Sequence, residues 1–123
     1  MKLVYPPLRA GKTYLTNKYH NKKCEYKGIK FDSIKEMNWY INLENMQKLG
    51  KISELQRQVE FVLIETFKLN NKTYRKTKYI ADFVYKTPDG KYHIVDTKGF
   101  KTKEYLLKKK LMAWKYGIEI EEV

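Results

Sequence analysis

A chain of 123 residues is long enough for one packed core and too short for two, so the fold and any site must share one domain. A hydrophobic content of 42% with 15% aromatics excludes a disordered tail and a coiled coil. The balance of 26 Lys and Arg against 14 Asp and Glu leaves a charge of +12, which calls for a polyanionic partner, nucleic acid before membrane, since no run approaches the roughly 18 apolar residues of a span.

Residues 1–30 carry Pro6, Pro7 and Gly11 and a mix of lysines and tyrosines without sustained periodicity, which reads as an extended basic arm. The single cysteine, Cys24, excludes an internal disulfide, and the opening MKLVYPPLRAGKTY is too interrupted for a signal peptide. The cytoplasm is the expected compartment. Ser33 followed by Glu36 can form a capping box for a helix from Ile34 to Leu49 that stops at Gly50. From about Leu55 to Leu69 the alternation of Val59, Phe61 and Leu63 predicts one strand.

Two β-rich runs follow, KYIADFVY and KYHIVDTKG, joined by Thr87-Pro88-Asp89-Gly90, and these read as a hairpin. Thr102 caps a second helix over about 103–116, with Leu107, Leu111 and Trp114 as its apolar stripe and Gly117 as its stop. A short strand from Ile118 to Glu122 closes the chain. The expected order is αβββαβ in an α/β (α+β) domain spanning 31–123, with a central mixed sheet flanked by helices and the basic arm in front.

The hairpin carries the chemistry. Side chains alternate at period two, which puts Asp82 with Ile80 and Val84 and puts Asp96 with Ile94 and Lys98. With the turn centred on Asp89, Asp82 falls opposite Asp96. Like charges across an antiparallel pair repel, and buried carboxylates without a counter-ion are costly, so something cationic belongs between them. Lys98 supplies one charge. A divalent metal satisfies two carboxylates better, and Mg²⁺ prefers oxygen ligands with retained waters. Glu36 shares a helical stripe with Trp39, Tyr40 and Leu43 and should point at the sheet. Three acids and a lysine on a basic protein suit metal-assisted phosphodiester hydrolysis, with Lys98 orienting the water or steadying developing charge.

Asp82, thirteen intervening residues, then Asp96-Thr97-Lys98, preceded by a helical glutamate, resembles the PD-(D/E)xK nuclease superfamily over about residues 30–122. The segment KYIADFVYKTPDGKYHIVDTKGF is similar to the hallmark stretch of small phage enzymes. These are the endonuclease I type of Holliday-junction resolvase and an uncharacterised phage family with a KYHNKKCEYKGIKFDSIKE-like opening. The resemblance implies a restriction-endonuclease-like core and a metal held by Asp82, Asp96 and the backbone carbonyl of Thr97. It also implies Lys98 serving the water, Glu36 helping hold a second ion, and Mn²⁺ as a substitute for Mg²⁺. The implied enzyme is an endodeoxyribonuclease acting on branched DNA as a homodimer in a phage-infected or lysogenic bacterial host. Alternatives are a nicking or structure-selective nuclease of phage replication or packaging, and a non-catalytic DNA-binding module. Ala81 stands where the superfamily has its nominal proline, and the motif does not account for the arm.

Several residues have a plain reading beside the functional one. Glu36 is also what a capping box uses. Lys101, Lys103 and Lys108, expected on the DNA backbone, would equally form the solvated face of the second helix. Lys18, Tyr19, Lys22 and Lys23 either contact DNA or pack the arm on the domain or on a second subunit. Gln58 and Glu60 share one face of the first strand and either approach the metal site or, the favoured reading, are solvated polar residues at the core edge.

Overall fold

The computed structural model describes residues 23–98 and 101–123. A short hairpin of β1 (Cys24–Tyr26) and β2 (Ile29–Phe31) precedes helix α1 (Ile34–Lys48). Next come β3 (Ser53–Ile64) and a second small hairpin, β4 (Phe67–Leu69) and β5 (Lys72–Tyr74). Strands β6 (Thr77–Lys86) and β7 (Tyr92–Asp96), helix α2 (Lys103–Tyr116) and the brief β8 (Glu121–Glu122) complete the chain. The central four-stranded sheet runs β3-β6-β7-β8, antiparallel throughout except for the parallel β7–β8 pair. This is a mixed α+β fold with a mixed central sheet and two helices.

Local chemistry explains where the elements start and stop. The Ser33 hydroxyl accepts the Glu36 N–H at 3.0 Å and opens α1, and the Thr102 hydroxyl accepts the Tyr105 N–H at 3.1 Å and opens α2. Gly117 ends α2 with a φ of 66°, a left-handed conformation that costs glycine nothing. Between β6 and β7, Thr87 and Lys91 pair through their backbones at 2.9 Å while the Asp89 carboxylate accepts the Lys91 N–H at 3.1 Å. The register that follows, from Lys86 opposite Tyr92 to Phe83 opposite Val95, is the one the turn residues predict.

The sheet buries both faces. On one, Val84 and Ile94 pack with Leu63, Tyr79 and Ala81 against Met112 of α2. On the other, Phe83, Tyr85 and Val95 pack against Leu43 and Met46 of α1. Neighbours in sequence thus sit in opposite cores, as the period of two requires.

Three expectations are corrected. Residues 24–31, read as part of an extended arm, form a hairpin seated on α1: Lys27 and Gly28 both adopt positive φ at its turn, Phe31 is buried, and the Tyr26 hydroxyl donates to Glu44 at 3.1 Å. The stretch read as one strand from Leu55 to Leu69 ends at Ile64, and a new hairpin turns at Asn70 and Asn71, with φ of 51° and 64°. The side of α2 that packs carries Tyr105 and Met112, whereas Leu107 is exposed and Trp114 is 77% exposed. Leu111 alone of the expected stripe packs against the core. Among the described residues no helix is long and apolar enough to cross a membrane.

Candidate active site

Asp82 sits where the regular alternation of the sheet breaks. Tyr79 and Ala81 of β6 pack on the α2 side, yet Phe83 and Tyr85, also odd-numbered, pack on the α1 side. The neighbouring strand switches too: Val59 and Phe61 pack toward α2, and Leu55 packs toward α1. Gln58, between them, has a φ of 52°, and the pairing of β3 with β6 steps from Arg57–Phe83 to Val59–Ala81 over Gln58 and Asp82. One left-handed residue turns its strand over. Ile80 and Val84 therefore do not share a face with each other as expected: Val84 is in the α2-side core and Ile80 is exposed.

On the other edge of β6 the ladder to β7 ends at Phe83–Val95, and the Asp82 carboxylate takes over beyond it. Its Oδ2 accepts the backbone N–H and the hydroxyl of Thr97, each at 2.8 Å, and its Oδ1 accepts from Lys98 Nζ at 2.7 Å. Asp96 accepts the Lys98 N–H on Oδ1 at 2.8 Å and the Tyr79 hydroxyl on Oδ2 at 2.8 Å. Asp82 is 0% exposed and Asp96 3%. Two carboxylates are thus buried side by side in adjacent strands of a strongly cationic protein, each satisfied by charge-assisted hydrogen bonds.

Glu36 is buried at the start of α1. Its backbone N–H is capped by Ser33, but its carboxylate turns to the sheet, where Gln58 Nε2 donates to Oε2 at 2.9 Å and Arg57 Nη2 lies 3.8 Å from the same oxygen. The Arg57 guanidinium is itself stacked on Phe31, 4.4 Å from the ring centre. Burial, reinforced by the negative charge of Asp82, pushes the Glu36 carboxyl up against the opposing pull of Lys98 and Arg57. For Lys98, burial works against the ammonium form, but the hydrogen bond to Asp82 and the charges of Asp82, Asp96 and Glu36 outweigh it and hold its pKa above the ordinary lysine value. Lys98 is therefore a cation at neutral pH. Burial and the charge of Asp96 push the Tyr79 phenol up as well, so it remains a donor.

An open cleft of about 500 Å³ reaches the edge of this constellation, lined by Gln58, Tyr79, Asp96 and Lys98 together with Thr102, which caps α2, and Tyr105 and Lys108 of α2. Glu36, Asp82, Asp96 and Lys98 are thus brought together by α1, β6 and β7. Gln58, Tyr79 and Arg57 belong to the same cluster: Tyr79 and Arg57 were not expected there, and for Gln58 the approach to the site was the less favoured of two readings. Gln58 looked like a polar residue at a core edge, and Tyr79 and Arg57 carried no signal beyond being polar groups in strands with buried neighbours. Glu60, by contrast, is an exposed partner of Lys76 and Lys78.

The lysines expected on DNA are dispersed. Lys101 pairs with Glu122 at 3.2 Å and Lys108 with Glu104 at 3.0 Å, while Lys103 is exposed in the first turn of α2 and Lys23 is exposed beside β1. Lys18, Tyr19 and Lys22 lie outside the described residues.

Whether a metal fits can be judged from the donor set. Among the described residues, no group of three or more His, Cys, Asp or Glu side chains is close enough to hold an ion. Mg²⁺ does not need such a cage, because it keeps several waters and is bound through one or two carboxylates together with substrate phosphates. Asp82 and Asp96 supply hard oxygen donors of the kind Mg²⁺ takes, with lone pairs beyond those already engaged.

Residues 16–121 match the family described as a protein of unknown function, DUF1064. No curated protein and no solved structure matches the chain. The matched span takes in Glu36, Gln58, Tyr79, Asp82, Asp96 and Lys98, and the chain belongs to the DUF1064 family.

Proposed function

We propose that this protein is a metal-dependent endodeoxyribonuclease with a restriction-endonuclease-like core, hydrolysing phosphodiester bonds at Asp82, Asp96 and Lys98. The observation that carries the reading is the burial of Asp82 and Asp96 in adjacent strands with Lys98 Nζ 2.7 Å from Asp82, and with Asp96 and Lys98 lining an open cleft on a chain of charge +12. A protein that merely binds DNA gains nothing from buried acids that repel phosphate.

Asp82 and Asp96, with the Thr97 carbonyl, would hold Mg²⁺ or Mn²⁺, which supplies Lewis acidity toward the phosphate and an acidified water. Glu36 would serve a second ion or its waters. The chain's own groups do the rest. Thr97 and Tyr79 fix the two carboxylates, so neither has to reorganise when substrate arrives. Lys98, held as an ammonium by its acidic neighbours, has N–H groups beyond the one given to Asp82 and can donate to a non-bridging phosphate oxygen or orient the attacking water. Gln58 steadies Glu36 and reaches the cleft wall.

Branched DNA is the proposed substrate. Paired cuts across a four-way junction require two sites, and one domain of this size offers one, so the working form would be a two-fold homodimer. A synthetic four-way junction and a linear duplex, each incubated with Mg²⁺ or with EDTA, test the reading. Symmetric Mg²⁺-dependent junction cuts support a resolvase, nicks in plain duplex support a structure-selective or nicking nuclease, and binding without cleavage at any Mg²⁺ or Mn²⁺ concentration refutes both.

A further inference from the structure

The β4–β5 hairpin stands apart from the core with all six of its strand residues exposed. Its register sets Phe67 opposite Tyr74 and Leu69 opposite Lys72, so these four share one face. Phe67, Leu69 and Tyr74 are 47%, 57% and 38% exposed. The two rings stack at 4.9 Å, and Lys72 Nζ lies 5.1 Å from the centre of the Tyr74 ring. An isolated two-stranded hairpin is marginal in water, and an apolar face of this kind without cover marks a binding surface.

Charge identifies what covers it. Among the described residues, Lys68, Lys72 and Arg75 form no ion pair, whereas Lys76 and Lys78 at the base of the hairpin are paired with Glu60. The ribbon thus carries three unneutralised cations, Lys72 on the aromatic and aliphatic face, Lys68 on the opposite face and Arg75 just past β5. That is the chemistry of a nucleic-acid contact, phosphates on the lysines and arginine and sugar or base edges on the apolar face. Position agrees. The cleft that exposes Asp96 and Lys98 shares Lys78, Glu104 and Lys108 with a second depression walled by Ile64, Lys76 and Thr77, which leads to the root of the hairpin. Its ion pairs are exposed and weak enough for phosphate to displace.

We propose that the β4–β5 hairpin is a DNA-gripping wing that holds the substrate duplex beyond the cleavage centre, with Lys68, Lys72 and Arg75 on phosphates and the Phe67–Tyr74 face against the groove. The inference rests on the nuclease reading for its substrate but not for its test. Binding of a labelled four-way junction and a labelled duplex is measured by fluorescence anisotropy in EDTA across a salt series. The Asp96→Asn chain is compared with the same chain also carrying Lys68→Ala, Lys72→Ala and Arg75→Ala. The triple change should weaken binding about tenfold or more and lower the salt slope by roughly 2 to 3, since each phosphate contact contributes about 0.9. Unchanged thermal melting by circular dichroism establishes that the fold is kept. Equal affinity and slope in the two chains would overturn the proposal, as would a change in oligomeric state with affinity intact, or no DNA binding by either chain. Cleavage by the unsubstituted chain is scored separately: DNA binding that depends on the hairpin without any cleavage would count against the nuclease and leave the wing standing.

Discussion

Tyr79 shows how much of the site is held by residues that carry no chemistry of their own. Its hydroxyl is the donor to Asp96 Oδ2, and both residues are buried, at 4% and 3% exposed. Tyr79→Phe leaves the buried carboxylate one hydrogen bond short and should cost about 1.5–3 kcal/mol, the range for bonds to charged groups. Urea unfolding at neutral pH measures this, and an unchanged midpoint would contradict the geometry. Glu122 provides a pH test. The Tyr105 hydroxyl at 2.6 Å, aided by Lys109 and Lys101, holds its carboxyl down at about 2, against an ordinary 4.5. Because the folded value lies below the unfolded one, the stability contributed by Glu122 is complete above about pH 4.5 and is lost as pH falls toward about 2. Glu122→Gln should therefore lose less thermal stability than the unsubstituted chain between pH 5 and pH 2.5. At this scale the sequence made Asp82, Asp96 and Lys98 legible, because acids among β-branched neighbours on a hairpin stand out. Tyr79 was hidden and Gln58 was ranked as a core-edge residue, since their roles depend on a backbone reversal that period-two counting cannot register.

The helices and strands were legible in proportion to how strongly their ends are punctuated. The β6–β7 register followed from Pro88, Asp89 and Gly90, and α1 from Ser33 and Gly50. The β4–β5 hairpin was missed because Asn70-Asn71 lies inside a long run of strand formers, although paired asparagines at positive φ are suitable hairpin turn residues. Helix α2 misled through composition. Leu107 and Trp114 are its most conspicuous apolar residues, but with lysines on every side the helix packs through Tyr105, Leu111 and Met112. A pair of substitutions separates the two descriptions. Met112→Ala empties a fully buried site and should cost about 2–5 kcal/mol, while Trp114→Ala should stay within about 0.5 kcal/mol in the monomer. The reverse order of costs would show that the helix is rotated about its axis.

For the whole molecule, the excess of basic residues had the clearest meaning in the sequence and the least definite location. A charge of +12 predicts DNA affinity that falls steeply with salt; among the described residues Lys101, Lys108 and Lys109 are already paired with acids, whereas Lys68, Lys72 and Arg75 of the β4–β5 hairpin form no ion pair. If the buried acids and Lys98 form a hydrolytic centre, the unsubstituted chain and Asp96→Asn must differ on one labelled four-way junction in Mg²⁺, with binding and cleavage recorded together. Both chains should bind within a few-fold of each other, and only the unsubstituted chain should cut. Undiminished cutting by Asp96→Asn, or no cutting by either chain while both bind, would contradict a hydrolytic centre there.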